Sequence, residues 1–275
     1  MFKNHFIIVG PGRSGSTWLY ELLSQDKRIG LARNIKETQF FNENYSQDLK
    51  NYFKFFDFEK PITGEISNLY FHHKKVPKRI YDSIENSKII ILVRNPVDRL
   101  VSIHNFRLRE GRKLKKKVTF TDDEIIKYVR IDLAIENFQQ FFSKKQIFYL
   151  DFHKIRLSGE KEIIKFYEHL ELDYEKLKFP GLVNESIIPK QRVYGFIMKK
   201  FALILRYLKF YKTLTFLKRN NLIKNLFFKK DKVYPRITKE QKKLIDKEFN
   251  VVKRKVEELT GIKTKEWNNC FENKS

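Results

Sequence analysis

Two groups of residues in this sequence have the types and the spacing of an anion-binding site. The first is a loop rich in glycine and hydroxyl side chains, which reads Gly10-Pro11-Gly12-Arg13-Ser14-Gly15-Ser16-Thr17. Glycines allow a backbone to turn tightly, so that its N–H groups point at an anion held at the N-terminus of the following helix. The loop therefore predicts a site for a phosphorylated ligand.

This loop departs from the Walker pattern, in which the second glycine is followed by Lys and then by Ser or Thr. Ser16 stands at the position of the Walker lysine, and the only cation of the loop, Arg13, precedes the second glycine. The displaced cation argues against an ordinary ATPase or kinase. We interpret the loop as a phosphate site that serves a different chemistry.

The second group follows another apolar run and reads Arg94-Asn95-Pro96-Val97-Asp98-Arg99-Leu100-Val101-Ser102. Arg94 lies at the end of a predicted strand, where its guanidinium offers a fork of donors suited to a phosphate. Ser102 lies two turns into the predicted helix and can add a hydroxyl. An arginine in this position also fits a purely structural role, so this group indicates a phosphate site only in combination with the first group.

Both groups lie where a predicted buried strand gives way to a helix. Residues 6–10 and 88–93 are continuous apolar runs, which are typical of parallel strands buried on both faces. The predicted helices after them cover 16–25 and 96–109, the latter with Pro96 at its start, where proline is favoured. Ligands of parallel sheets bind at the carboxyl ends of the strands, so we expect the two groups to lie at one edge.

The rest of the chain continues the alternation of strands and helices. The remaining predicted strands are 62–66 and 146–150, and the remaining predicted helices are 47–56, 75–85, 121–142, 158–170 and 238–259. This order predicts an α/β fold with a P-loop-like central parallel sheet, helices on both faces, and extra helices in the C-terminal third. We expect a single domain over 1–275.

Residues 196–230 form a predicted basic amphipathic helical insertion, in which aromatic, Leu and Ile residues alternate with Lys and Arg. One interpretation is a pair of helices packed on the core. The other is a basic amphipathic surface for an anionic membrane or acceptor. The sequence leaves both interpretations open.

The composition limits the classes of function. The chain has 57 basic and 33 acidic residues and a net charge of +24, which favours an anionic ligand, polymer or membrane surface. A single cysteine, Cys270, excludes an internal disulfide, and the six histidines have no tight ligand spacing, so we expect no metal site. Without a secretion signal or a run of about 18 apolar residues, we expect a cytoplasmic protein.

Taken together, the two groups resemble the motifs of sulfotransferases that use 3′-phosphoadenosine 5′-phosphosulfate (PAPS). The 5′-phosphosulfate loop of that family is similar to residues 10–19, and its 3′-phosphate motif is similar to residues 94–102. The order of the motifs and their strand–helix setting also agree. The combination is far more specific than either half.

The resemblance extends to heparan-sulfate-type and bacterial carbohydrate sulfotransferases. Residues 36–41 resemble their Lys-Glu-x-His/Gln-Phe-Phe segment, and residues 64–71 resemble their Glu-Lys-Ser-Pro-x-Tyr-Phe segment. The second segment departs at Ile66, where some members carry a functional lysine, and at Asn68, which replaces a proline. The resemblance covers most of the chain, with 196–230 weakly matched.

The resemblance implies that PAPS is the co-substrate and that no metal is required. It implies that Arg13 stabilises charge on the departing 5′-phosphate, and that Glu37 is the general base that takes the acceptor's proton. The donor-binding residues that it implies are Gly12, Arg13, Ser14, Gly15, Ser16, Thr17, Trp18, Arg94 and Ser102.

The acceptor is less closely defined by the sequence. The segment around Glu37 implies a carbohydrate acceptor, either a saccharide or a glycolipid, and the net charge favours an acidic one. Lys36, Lys190 and Arg192 are the candidates to line its cleft. We expect no specific nucleic-acid partner.

Alternatives to this interpretation remain for the base and for the function. His72, His73 and His104 are rival general bases. A phosphoryl transferase is a second candidate function, which the missing Walker lysine disfavours. A third is a non-catalytic binder of nucleotide, anionic polymer or membrane, attracted by the net charge.

Overall fold

The fold is described from a computed structural model. The described residues are 4–46, 48–110, 119–180, 187–190, 194, 197, 198, 200, 201, 204, 226–231 and 233–271. Most of the predicted insertion 196–230, and Arg192 before it, lie outside these ranges.

A five-stranded parallel sheet forms the centre of the fold, in the order β2-β3-β1-β4-β5. The strands are β1 (His5–Val9), β2 (Ile29–Leu31), β3 (Ile62–Ser67), β4 (Lys88–Val93) and β5 (Ile147–Asp151). β1 pairs with both β3 and β4, so it occupies the middle of the sheet. Every residue of β1 is buried, as its continuous apolar sequence predicted.

Helices cover the two faces of this sheet. They are α1 (Ser16–Leu23), α2 (Lys50–Phe53), α3 (Val76–Ser83), α4 (Pro96–Arg109), α5 (Asp122–Val129), α6 (Asp132–Gln139), α7 (Phe152–His169) and α8 (Lys239–Thr260). A small antiparallel pair, β6 (Ile187–Pro189) and β7 (Phe228–Lys230), lies apart from the main sheet.

Two hydrophobic cores lie on opposite faces of the sheet, because successive strand residues point to opposite sides. Ile7 and Val9 of β1 belong to one core, which includes residues of α4, α5, α6 and α8. Phe6 and Ile8 belong to the other, with residues of α1 and α7. The α/β class with helices on both faces is therefore confirmed.

The predicted single helix over 121–142 is wrong, because it is two helices with a break at Arg130 and Ile131. Arg130 donates through Nε and Nη2 to the carboxylate of Asp132, at 3.0 and 2.9 Å, and through Nη1 to Glu248 at 3.1 Å. Ile131 is fully buried. The break between the two helices lets Arg130 reach both carboxylates and places the Ile131 side chain in the core. The helical periodicity of the sequence reveals neither of these contacts.

Other differences concern the bounds of elements. α7 begins at Phe152, where Asp151 caps it by accepting from the His153 N–H at 2.8 Å, and its backbone departs from helical geometry at Ser158 (φ −129°, ψ 21°), the residue at which the sequence predicted a helix to begin. The helix predicted over 47–56 covers only Lys50–Phe53. β2 has three residues, too few for a periodic pattern.

The last helix has the predicted ends. Thr238 accepts from the Gln241 N–H at 3.1 Å, and the Gln241 side chain accepts from the Thr238 N–H at 3.2 Å, which completes a capping box. Gly261 ends the helix with φ 72°, a left-handed conformation that favours glycine.

Candidate active site

The glycine-rich loop joins the carboxyl end of β1 to α1. Gly15 precedes the first residue of α1 with φ 92°, a conformation that other residues rarely adopt. A Cβ atom at this position would also approach the ring of Phe152, at the start of α7, to 2.3 Å. The loop is therefore fixed at Gly15 both by its own backbone and by the neighbouring helix.

The two anion-binding motifs meet at Arg13. Its Nε donates to Ser102 Oγ at 3.1 Å, and Arg94 Nη1 donates to the Arg13 carbonyl oxygen at 2.6 Å. Arg13 itself has φ 73°, so its backbone is held in a strained conformation by these contacts. The sequence placed the motifs at one edge of the sheet, and the structure joins them directly.

Positive charge is concentrated around this junction. Burial, together with the nearby charges of Arg109 and Arg94, lowers the pKa of Arg13 to about 10. Burial also lowers the pKa of Arg109. Cations that are desolvated and repel one another favour a neighbouring anion, because an anion stabilises their charged forms.

Arg99, from the second motif, has a structural role. It is 1% exposed, its Nε donates to the Gly12 carbonyl oxygen at 3.2 Å, and its Nη1 donates to the Tyr128 carbonyl oxygen at 2.8 Å. Burial, followed by repulsion from Arg94, lowers its pKa to about 9. Arg99 therefore holds the glycine-rich loop in place through its hydrogen bond to the Gly12 carbonyl oxygen.

The loop also contains a polar atom that suits an anionic ligand. Ser14 Oγ is buried and has no hydrogen-bond partner in the described part of the chain. Buried hydroxyls in native proteins are nearly always paired. Together with the N-terminus of α1 and the arginines, this hydroxyl fits a phosphate or a phosphosulfate.

Glu37 lies beside the same loop. Asn68 donates to both of its carboxylate oxygens, through the backbone N–H to Oε2 and through Nδ2 to Oε1, each at 3.2 Å. Asn68 Nδ2 also donates to Ser16 Oγ at 3.0 Å. A single amide therefore connects the candidate base to the candidate phosphate site.

A buried polar network fixes the chain around Glu37. Glu65 of β3 is 1% exposed, and its Oε2 accepts from the N–H and the hydroxyl of Thr38, at 3.2 and 2.7 Å. Its Oε1 accepts from Tyr52 OH at 3.2 Å, and Tyr52 OH in turn is 2.8 Å from His5 Nε2. Burial raises the pKa of Glu65 to about 7.

The other sequence candidates have different surroundings. The indole N–H of Trp18 donates to the Pro180 carbonyl oxygen at 2.8 Å, so this polar atom already has a protein partner. Lys190 is exposed, and its backbone N–H donates to the Phe227 carbonyl oxygen at 2.9 Å. Arg192 lies outside the described residues.

Two of the three rival histidine bases, His72 and His104, are disfavoured by their burial. Burial, followed by repulsion from Arg99 and Lys127, lowers the pKa of His72 to about 3. Burial and then Arg107 lower the pKa of His104 to about 4. A group with so low a pKa is a weak proton acceptor at neutral pH. His73 Nδ1 is buried without a partner among the described residues.

Several residues of the site escaped the sequence reasoning. Asn68 was noted only as a departure from a proline, and Glu65 only as part of a motif. Phe152 was missed because nothing in its sequence surroundings marks it; its ring lies 5.0 Å from the Arg94 guanidinium. Arg109 was missed as well, since its spacing from Ser102 carries no motif.

In the described part of the chain, no group of three or more His, Cys, Asp or Glu side chains is arranged to hold a metal ion. Among the helices described, none combines the length and the apolar content that crossing a bilayer requires.

The chain belongs to the sulfotransferase domain family, whose model matches residues 3–262. This confirms the resemblance that the two motifs indicated. The match covers the glycine-rich loop, the Arg94 motif and the segment around Glu37, so the residues described above are part of the family's domain.

Several of the relatives are named as heparan sulfate sulfotransferases. The chain is 26% identical over 217 residues to heparan sulfate glucosamine 3-O-sulfotransferase 5 of Mus musculus, which covers 72% of this chain and 60% of that protein. It is 33% identical over 106 residues to the mouse bifunctional heparan sulfate N-deacetylase/N-sulfotransferase 4, over 35% of this chain and 12% of that protein. The chain thus spans only part of the length of these relatives.

A solved structure agrees with the fold. A sulfotransferase from Alicyclobacillus acidocaldarius superposes with a TM-score of 0.55 at 20% identity, over 76% of this chain and 95% of that one. At this identity the likeness concerns the fold alone, and it supports the central parallel sheet with flanking helices.

The raised pKa of Glu65 makes stability depend on pH. The folded protein holds a proton on Glu65 up to about pH 7, whereas the ordinary value is 4.5. The stabilisation is therefore complete below the unfolded value and is lost as pH rises through the folded value. We expect the free energy of unfolding of Glu65→Gln to lack this decrease, which is on the order of 3 kcal/mol at most.

Urea denaturation from about pH 5 to about pH 8 measures this difference. The exposed Glu59→Gln is the matched control, because it leaves the buried network intact. Burial lowers the pKa of His5 to about 3, so the folded protein keeps His5 neutral over this range, and its titration in the unfolded chain contributes equally to both proteins. Parallel pH profiles for wild type and Glu65→Gln would contradict the assignment.

Proposed function

We propose that this protein transfers a sulfuryl group from PAPS to a hydroxyl or an amine of a carbohydrate-type acceptor by in-line displacement. One observation carries the proposal: the glycine-rich loop and the Arg94 motif are joined through Arg13, with Glu37 tied to the same loop by Asn68. The family membership supplies the reaction class, and this arrangement supplies the residues for it.

The donor would be held at both of its phosphate groups. The residues proposed for its 5′ end are Gly12, Arg13, Ser14, Gly15, Ser16 and Thr17. Arg94 and Ser102 would hold the 3′-phosphate, and Trp18 would border the nucleotide. PAPS supplies the sulfuryl group and leaves as adenosine 3′,5′-bisphosphate. No metal is required in this proposal, because arginines and backbone N–H groups provide the positive charge.

Arg13 and Glu37 would act on opposite partners in the transfer. Arg13 stabilises the negative charge that develops on the departing phosphate oxygen, and its contact with Ser102 Oγ keeps the guanidinium in place. Glu37 accepts the proton of the attacking hydroxyl or amine. The two hydrogen bonds from Asn68 hold the carboxylate in one orientation.

A saccharide fits the acceptor side better than the alternatives. The relatives named above are called heparan sulfate sulfotransferases, and the net charge of +24 favours an anionic chain. Lys190 and Arg192 remain predicted acceptor contacts.

Inhibition by nucleotides distinguishes this proposal from a phosphoryl transferase. A phosphoryl transferase would be inhibited by ADP, whereas this proposal requires that adenosine 3′,5′-bisphosphate inhibits the enzyme and that ADP does not.

Peripheral contact with an anionic membrane through 196–230 is a further part of the proposal, and it suits a glycolipid acceptor. Ile197, Phe201 and Ile204 are about half exposed at helical spacing. We expect the protein to co-float with vesicles that contain anionic lipid and not with neutral vesicles; equal binding to both would remove the argument. A cytoplasmic location stays a prediction.

The role of Glu37 is tested by Glu37→Gln, which removes the proton acceptor and keeps the shape of the side chain. We expect turnover to fall about 10²–10⁴-fold, with little change in the affinity for adenosine 3′,5′-bisphosphate. The measurement is the transfer of labelled sulfate from PAPS to a desulfated heparan sulfate.

Glu43→Gln is the matched control, since Glu43 lies in the same segment of chain and is exposed. It is expected to retain the wild-type rate. A Glu37→Gln protein with near-full turnover would remove Glu37 from the mechanism, whereas loss of nucleotide affinity would indicate a structural role for it.

A further inference from the structure

We propose that Lys36 is a second donor-binding cation: its ammonium binds the 5′ end of the donor at the glycine-rich loop and stabilises the charge that develops there during transfer. This inference rests on the proposed function. It moves Lys36 from the acceptor side, where the sequence placed it, to the donor side.

The position of the ammonium carries the inference. Lys36 Nζ donates to Ser16 Oγ at 3.1 Å and to Thr17 Oγ1 at 3.4 Å. Ser16 occupies the place of the Walker lysine, and Thr17 follows it. The chain therefore brings a lysine from the segment after β2 to the point where a Walker loop carries one in its own sequence.

Ile66 of the neighbouring strand β3 cannot supply a positive charge to the glycine-rich loop. Ile66 near the end of β3 is 1% exposed and packs in the hydrophobic core with Leu19 and Leu22 of α1. It stands where some of the resembling sulfotransferases have a lysine. An apolar side chain in the core cannot contribute charge to the loop, whereas the ammonium of Lys36 contacts its hydroxyls.

The contacts of Lys36 are not limited to a surface ion pair with Glu37. The distance from its Nζ to Glu37 Oε1 is 3.8 Å, longer than its contacts with the loop hydroxyls, and the side chain is 25% exposed. Burial lowers its pKa, Glu37 opposes that change, and Arg13 adds to it. A partly desolvated ammonium at a helix N-terminus is stabilised by a bound anion.

The contacts also suggest how donor and base are coordinated. The Lys36 ammonium lies between the loop hydroxyls and the Glu37 carboxylate. Asn68 Nδ2 donates both to Ser16 Oγ, which also accepts from Lys36, and to Glu37 Oε1. Binding of a phosphosulfate would draw the ammonium toward the anion. Glu37 would then lose part of its ionic partner and become a stronger proton acceptor.

The test compares two ligands that differ only at the 5′ position. Adenosine 3′,5′-bisphosphate and adenosine 3′-monophosphate are titrated by calorimetry into wild type, Lys36→Met and Lys36→Arg. For Lys36→Met we expect the Kd of the bisphosphate to rise about 10- to 100-fold. The Kd of the 3′-monophosphate stays within about twofold, because that ligand does not reach the ammonium.

Two controls sharpen the comparison. Lys27→Met removes an exposed lysine of the α1–β2 connection, before β2 rather than after it, and is expected to bind both ligands as wild type does. Lys36→Arg retains the charge and is expected to recover part of the bisphosphate affinity. In steady-state assays Lys36→Met lowers kcat at saturating donor and leaves the KM of the acceptor unchanged.

Three results would overturn the inference. Unchanged bisphosphate affinity with a raised acceptor KM would return Lys36 to the acceptor site. Equal loss of affinity for both ligands would show that Lys36 only supports the loop. A wild-type protein that binds neither ligand would contradict the proposed function itself, and the inference with it, which distinguishes that failure from the first two.

Discussion

The contact between the glycine-rich loop and α4 is the interaction on which the site depends. Arg94 donates to the Arg13 carbonyl oxygen, Arg13 donates to Ser102, and Arg99 supports the loop at Gly12. These bonds join the carboxyl ends of β1 and β4, which are neighbours in the sheet. The sheet order therefore decides that two motifs about 80 residues apart in sequence form one site.

The same contact gathers cations that repel one another, and the fold tolerates them because their hydrogen bonds go to backbone and hydroxyl oxygen. Burial lowers the pKa of Arg13, Arg99 and Arg109, and repulsion from Arg94 adds to this effect at Arg13 and Arg99. An anion with charge at both ends relieves this repulsion. A preorganised site of this kind stabilises developing charge without moving its donors, which is what transfer of a sulfuryl group needs.

Much of the fold was predictable because buried parallel strands have continuous apolar sequences, as residues 88–93 show. The two motifs were predictable for a related reason, since glycine and proline mark the loops that follow such strands. The break at Arg130 was not, because it depends on Glu248, which is distant in sequence. The contact between Lys36 and Ser16 was not predictable either, because the adjacency of Lys36 to Glu37 in sequence says nothing about where its ammonium lies.

We propose that one site binds a nucleotide at both its 5′ and 3′ phosphates. Calorimetric titration of adenosine 3′,5′-bisphosphate into wild type and Arg94→Ala, with AMP as the comparison ligand, tests it most directly. We expect wild type to bind the bisphosphate tightly and AMP much more weakly, and Arg94→Ala to lose the binding of the bisphosphate. Absence of binding to wild type, or equal affinity for AMP, would contradict it.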